Sequence, residues 1–224
     1  MRSALVLVCA LLAAAGYVVA PILIFEKAPL APYYELLFNQ KIFYYHVPCA
    51  WVVFAGAFVS GISSIGFLST RSPRWDDVAS AAADMVVLFG ALMLITGPIW
   101  AKASWGAYWK WDARLTTSLL LWLIFVSYAL LRRYGGPGSE RLAAGLAIFG
   151  MADVPLIYFA VKLWKTQHPD TTVVPTLGPG MRPPFYLASF TFLFFFVVLL
   201  VARDALGRGQ RLLHDAQDRF AELE

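Results

Sequence analysis

The chain has 224 residues, of which 60% are hydrophobic and 14% charged, with a formal net charge of +4. An ordinary soluble domain is about 45–50% apolar and about 25% charged, so this chain has too little polar surface to coat itself in water. The composition excludes a soluble enzyme, a disordered protein and a disulfide scaffold, and in a membrane protein a small basic excess reflects loops that meet lipid and cytoplasm rather than nucleic acid.

Taken in chain order, six apolar blocks approach the roughly 20 residues that a spanning helix needs. They are Leu5–Phe25, Phe43–Leu68, Ala79–Trp100, Leu115–Leu131, Leu142–Val161 and Phe185–Ala202. Their continuous apolarity argues for helices and against the alternating strands of a barrel. The expected fold is therefore an all-α integral membrane protein, with residues 1–224 forming one membrane domain. The first block runs from Leu5 past Ile22 to Phe25, longer than a signal-peptide core, and is expected to be retained. Residues 203–224, with Leu206, Leu212, Leu213 and Phe220 among mixed charges, read as a short amphipathic cytoplasmic tail.

Six spans put both termini on one side, together with the connections Ser69–Val78 and Arg132–Arg141. That side carries Arg71, Arg74, Arg132, Arg133, Arg141, Arg203, Arg208, Arg211 and Arg219, as well as Arg2. The excess of cations favours cytoplasmic termini. Asp84 and Asp153 fall inside apolar blocks, where a carboxylate is costly and becomes a functional candidate by default. Asp84 is expected to snorkel or to pair with Arg71 or Arg74. Asp153 precedes Pro155 and is expected to satisfy a proline kink or to pair with another helix.

The connections Glu26–Ile42, Ala101–Arg114 and Lys162–Pro184 share the opposite side by parity. Four tryptophans and a tyrosine occur between Trp100 and Trp111. An interfacial aromatic belt accounts for one or two such residues per helix end. The remainder, alternating through a loop with Gly106 and flanking cations, suits a platform for a large planar anionic ligand. Trp109 and Trp111, two apart, face the same way in an extended or turn geometry. Three histidines occur in the chain. His46 stands at the outer mouth of the second block and His168 just beyond the fifth, each beside aromatics. Each alone reads as polar surface or as a ligand, and two imidazoles on one face are the pair that completes a six-coordinate haem iron. His214, in the tail, reads as solvated. Cys9 and Cys49 form no CxxC pair, and a metal site at His46 and Cys49 lacks a third ligand.

Trp105-Gly-Ala-Tyr-Trp109-Lys-Trp111-Asp112 resembles the tryptophan-rich WWD motif of haem-handling proteins in cytochrome c biogenesis, which CcmC, CcmF and the CcsA-type synthases share. The following Ala-Arg114-Leu-Thr and the six spans in a short chain are similar to the CcmC version. Lys41-Ile-Phe-Tyr-Tyr-His46-Val-Pro48 and Trp164-Lys-Thr-Gln-His168 resemble the two histidine segments that flank the motif there. The likeness covers about Lys41 to His168.

The resemblance implies a bacterial cytoplasmic (inner) membrane protein with its Trp-rich loop in the periplasm. It would bind haem (b-type, transiently bound) and present it to the chaperone CcmE, alongside CcmA, CcmB and CcmD. His46 and His168 would be the axial ligands, and Trp105, Trp109, Trp111 and Asp112 would hold the haem. Tyr108 stands where many members have Trp, which keeps an aromatic face without the indole N–H. Arg114 would meet a propionate or form a salt bridge with Asp112, while Lys102, Lys110 and Arg182 are lesser propionate candidates. With no catalytic dyad in view, a carrier is expected rather than an enzyme. The alternatives are a CcsA-like synthase component and a single-haem b-type membrane cytochrome. A transport permease is a further reading, and it would draw any ATP use from a partner because the chain has no phosphate-binding loop.

Overall fold

A computed structural model describes residues 2–30, 37–169 and 172–221. The protein is an all-α membrane protein, and six of its helices are long and apolar enough to cross a bilayer. They are α1 (Arg2–Ile22), α2 (Phe43–Thr70), α3 (Pro73–Trp105), α4 (Ala113–Tyr134), α5 (Ser139–Leu163) and α6 (Arg182–Ala221). A π-turn, Leu23–Lys27, continues α1, and a 3₁₀ turn, Leu37–Ile42, leads into α2.

In a bilayer no hydrophobic force draws one apolar helix onto another, so packing rests on close approach and on polar contacts. Helices α2 and α3 form the centre. Helix α6 packs on both, with α1 outside it, while α5 packs on α2 and carries α4. Small residues make these approaches possible: a methyl group added at Gly61 would come within 2.5 Å of Met151 Cβ, and one at Gly90 within 2.6 Å of Trp122 Cδ1. The Trp122 indole N–H donates to the Val87 carbonyl at 3.0 Å, tying α4 to α3.

Several helix ends differ from the expectation drawn from apolarity. Helix α3 is 33 residues long, so by the α-helical rise it extends about 50 Å against a hydrocarbon core of about 30 Å. Nothing between Trp100 and Trp105 breaks a helix, and it stops only where Gly106 takes a left-handed φ of 74° and donates its N–H to the Lys102 carbonyl. The aromatic stretch is thus half helix and half loop. Residues 203–221 are no separate tail helix, because α6 runs unbroken through them. The side chains of His214 and Phe220, and those of Arg2 and Asp170, lie outside the described residues.

Ion pairs account for the overlong ends. Arg203 Nε donates to Asp84 at 2.6 Å, in place of the expected Arg71 or Arg74. Both expected arginines lie in or beside the turn between α2 and α3, whereas Arg203 reaches Asp84 from the neighbouring α6. Arg132 of α4 pairs with Asp76 at 2.6 Å, and Arg211 of α6 pairs with Asp77. Together these bonds put the N-terminus of α3 and the C-terminal parts of α4 and α6 at one face. Asp153 is buried (6% exposed), and its Oδ2 has no hydrogen-bond partner among the described residues.

Near the other face lies a smaller apolar cluster of Ala20, Ile24, Ala28, Phe43, Tyr44, Leu177, Phe185 and Ala188. Lys41 sits within this region, 2% exposed, and its ammonium donates to the carbonyls of Ile24 at 2.7 Å and Ala28 at 2.6 Å. It closes the end of the π-turn, where backbone carbonyls otherwise lack donors.

Candidate functional site

The site begins with backbone geometry. Gly106 ends α3, and Asp112, extended at φ −100° and ψ 167°, begins α4 by accepting the Leu115 N–H on Oδ1 at 2.9 Å. Five residues, 107–111, are held between these caps. The second carboxylate oxygen, Oδ2, accepts the backbone N–H of Gln167 at 3.0 Å. Lys110 Nζ reaches the Gln167 side-chain oxygen at 3.4 Å. The loop after α5 is thereby fastened beside the aromatic loop, and His168 follows immediately.

These elements enclose a cavity of about 360 Å³, within the roughly 300–1,000 Å³ common for ligand sites. His46, from the first turn of α2, and His168, five residues beyond α5, both line it. So do Trp100, Trp105, Tyr108, Trp109 and Arg114. Trp111 is 78% exposed and is not among the lining residues, although its ring meets Trp109 edge-on at 5.7 Å. The two rings touch without facing the same way. Asp112 is also absent from the lining, because its two oxygens are spent on the α4 cap and on Gln167.

The lesser cations have other tasks. Lys102 folds back onto the Gly106 carbonyl at 2.8 Å and over the Tyr108 ring. Arg182 donates to the Leu177 carbonyl at 2.7 Å. Arg114 alone among the proposed propionate partners stands in the cavity wall.

Both imidazoles use Nδ1 for a contact with a neighbouring residue. His168 Nδ1 lies 2.9 Å from the Pro169 carbonyl, which can only accept, so Nδ1 carries the hydrogen. His46 Nδ1 lies 3.1 Å from Thr96 Oγ1 on α3. The Met93 backbone carbonyl is a further hydrogen-bond partner of the His46 ring. Burial, followed by the nearby Arg114 guanidinium, pulls the pKa of His168 from 6.5 to about 4, against the Pro169 hydrogen bond and the Asp112 carboxylate. His168 is therefore neutral at physiological pH, with a lone pair on Nε2.

Sequence reasoning passed over Thr96 and Gly97, and counted Trp100 only as one of the tryptophans of the aromatic stretch. Trp100 lines the cavity, meets the His46 ring at 5.9 Å, and is backed by Phe43 at 6.1 Å. Gly97 leaves room for His46, since a methyl group there would come within 3.0 Å of its Cε1. Thr96 supplies the contact to Nδ1. A Thr-Gly-Pro interruption at 96–98 in an otherwise apolar helix is the signal that could have marked them.

The chain matches the CcmC family, described as heme exporter protein C, over residues 1–217. It belongs to that family. The heme exporter protein C of Bradyrhizobium diazoefficiens is 35% identical over 205 residues, covering 88% of this chain and 78% of the relative. That of Escherichia coli K12 is 32% identical over 173 residues, covering 74% and 69%. A ccmC-like mitochondrial protein of cytochrome c biosynthesis from Marchantia polymorpha is 34% identical over 173 residues, covering 75% and 74%. Membership in the CcmC family selects among the bearers of the tryptophan-rich motif, in favour of the six-span branch.

Proposed function

We propose that this protein binds haem between His46 and His168 and hands it on for cytochrome c maturation, as a carrier rather than an enzyme. The observation that carries this reading is the pair of imidazoles on one aromatic cavity, each with Nδ1 within hydrogen-bond distance of a neighbour that orients the ring. Among the described residues no three His, Cys, Asp or Glu side chains gather closely enough to hold a bare metal ion. A metal that arrives with its own equatorial donors needs only two axial ligands, which this donor set can supply. Haem iron would bring that coordination chemistry.

The chain's own residues would do the rest. Trp100, Trp105 and Trp109 offer apolar faces that exclude water, and Arg114 offers a guanidinium to a propionate carboxylate. Tyr108 and Trp111 form the outward rim, and Asp112 holds the two loops in register. Both ligands lie at or beyond helix mouths, which suits uptake and release better than the deeper, mid-helix ligands of an electron-transferring cytochrome. The family resemblance extends the reading to a bacterial inner membrane with the aromatic loop in the periplasm. It also makes CcmE the recipient of haem, with CcmA, CcmB and CcmD as companions.

Oxidised and reduced absorption spectra of the purified protein, of His46→Ala and of His168→Ala test the site. Sharp low-spin bands in the wild type, with haem lost or high-spin in each variant, are expected. Unchanged low-spin spectra in both variants would overturn the ligand assignment. Movement of the haem spectrum to added purified CcmE tests delivery, and haem retained indefinitely by this chain in its presence would refute it.

A further inference from the structure

A neutral imidazole carries its one hydrogen on either nitrogen, and only the bare nitrogen can bind a metal. For His168 the chain's own backbone makes the choice, since a carbonyl can only accept. For His46 the partner at Nδ1 is a hydroxyl, which can donate or accept, so its choice depends on where the Thr96 hydrogen goes; the Met93 backbone carbonyl also bears on the ring, as an acceptor.

Thr96 Oγ1 lies 2.7 Å from the Leu92 carbonyl, four residues back on the same helix, with the Met93 carbonyl at 3.3 Å as the next acceptor. A hydroxyl has one hydrogen, and a helical threonine commits it to such a carbonyl. The oxygen therefore turns its lone pairs to His46 Nδ1 at 3.1 Å, and Nδ1 must donate. The hydrogen is then absent from Nε2. The next residue completes the seat, because Gly97 has no side chain and the ring edge lies directly over it.

We propose that Thr96 is a positioning residue that holds His46 in the Nδ1–H form, with the Nε2 lone pair available to the cavity. The proposal rests on the haem reading given above for its consequence, but not for the tautomer itself. Thr96 orients the ligand through a contact that a methyl group in place of the hydroxyl would abolish. Loss of such a contact behind a metal-binding histidine typically costs about 10- to 100-fold in metal affinity.

The test uses the full-length, haem-free protein labelled with ¹⁵N-histidine, whose three histidines make assignment simple. Long-range ¹H–¹⁵N spectra at alkaline pH report the tautomer of each ring. His46 is expected in the Nδ1–H form in the wild type and in Thr96→Ser, which keeps the hydroxyl. In Thr96→Val it should shift toward Nε2–H, with His168 unchanged as the internal control. Haem titration should then show an affinity about 10- to 100-fold lower for Thr96→Val, recovered in Thr96→Ser. An Nε2–H His46 in the wild type would overturn the proposal without any variant, as would an unaltered tautomer or unaltered haem affinity in Thr96→Val. If His46→Ala binds haem like the wild type, the ligand reading fails and its consequence for Thr96 fails with it. The haem-free spectra would still record separately whether Thr96 governs the ring.

Discussion

Trp109 and Trp111 lie two residues apart with different exposure, and replacing each should report a different property. Trp109 lines the cavity, whereas Trp111 stands 78% exposed and touches it only through the Trp109 ring. Trp109→Ala should weaken haem binding about tenfold, the order of one aromatic contact, and Trp111→Ala should leave the binding curve within about twofold of wild type. Spectrophotometric titration of both variants checks this. His168 permits a pH prediction on the haem-free protein. Its pKa of about 4 lies below the unfolded value of 6.5, so the unfolded chain takes up a proton that the native chain refuses. The ring should stay neutral by NMR titration until pH approaches 4, and its contribution to stability, complete above pH 6.5, should be lost as pH falls toward 4. The two histidines were legible because the chain has so few and both sit beside aromatics. Thr96 and Gly97 were not, because a threonine or glycine acquires meaning only once another helix brings a ring against it.

At the scale of elements, caps and ion pairs decide where helices end, and both depend on partners distant in sequence. The apolar blocks located all six helices because a spanning segment must satisfy its own backbone and be apolar throughout. They misplaced the ends of α3 and α6 because Asp76, Asp77, Arg203 and Arg211 read as loop charges until each is seen neutralised across helices. The motif carboxylate shows the same dependence. Asp112 begins α4 and fastens the next loop, so its two oxygens can be separated by substitution. Asp112→Asn keeps one carbonyl oxygen for the Leu115 cap but offers an amide, which cannot accept, toward Gln167. It should leave thermal stability nearly unchanged while raising amide exchange at residues 165–168. Asp112→Ala should lose both contacts and about 1 kcal/mol of cap energy as well. Equal exchange at 165–168 in wild type and Asp112→Asn would refute the fastening role.

Across the whole molecule the two faces are built on different physics. One is held by arginine–carboxylate pairs drawn from α3, α4 and α6, the other by aromatic packing and backbone hydrogen bonds around the cavity. The pairs are not equivalent. Arg211 meets Asp77, whose side chain is 7% exposed, whereas Arg208 meets Asp204 one turn away on its own helix. Removing Arg211 strands a buried carboxylate and should destabilise the protein by about 2 kcal/mol, partly screened because the arginine is itself half exposed. Removing Arg208 should cost about 0.3–0.5 kcal/mol, as for an ordinary i,i+4 pair. Thermal denaturation in detergent, with proteolysis of the α6 extension as a second readout, distinguishes the two variants.

The supports of the two histidines are unequal in stiffness. His46 is carried in the first turn of a 28-residue helix seated against Thr96, Gly97 and Trp100. His168 is carried by a loop fastened at 3.0 Å through Asp112 and at 3.4 Å through Lys110. The cavity is thus a clasp with one fixed jaw and one hinged jaw. Opening it past the hinged jaw breaks two exposed hydrogen bonds, while opening it past the fixed jaw would pull apart the central helix pair of the molecule. A cargo held between them would be let go from the loop side first, and the fixed jaw would remain in register for the next one.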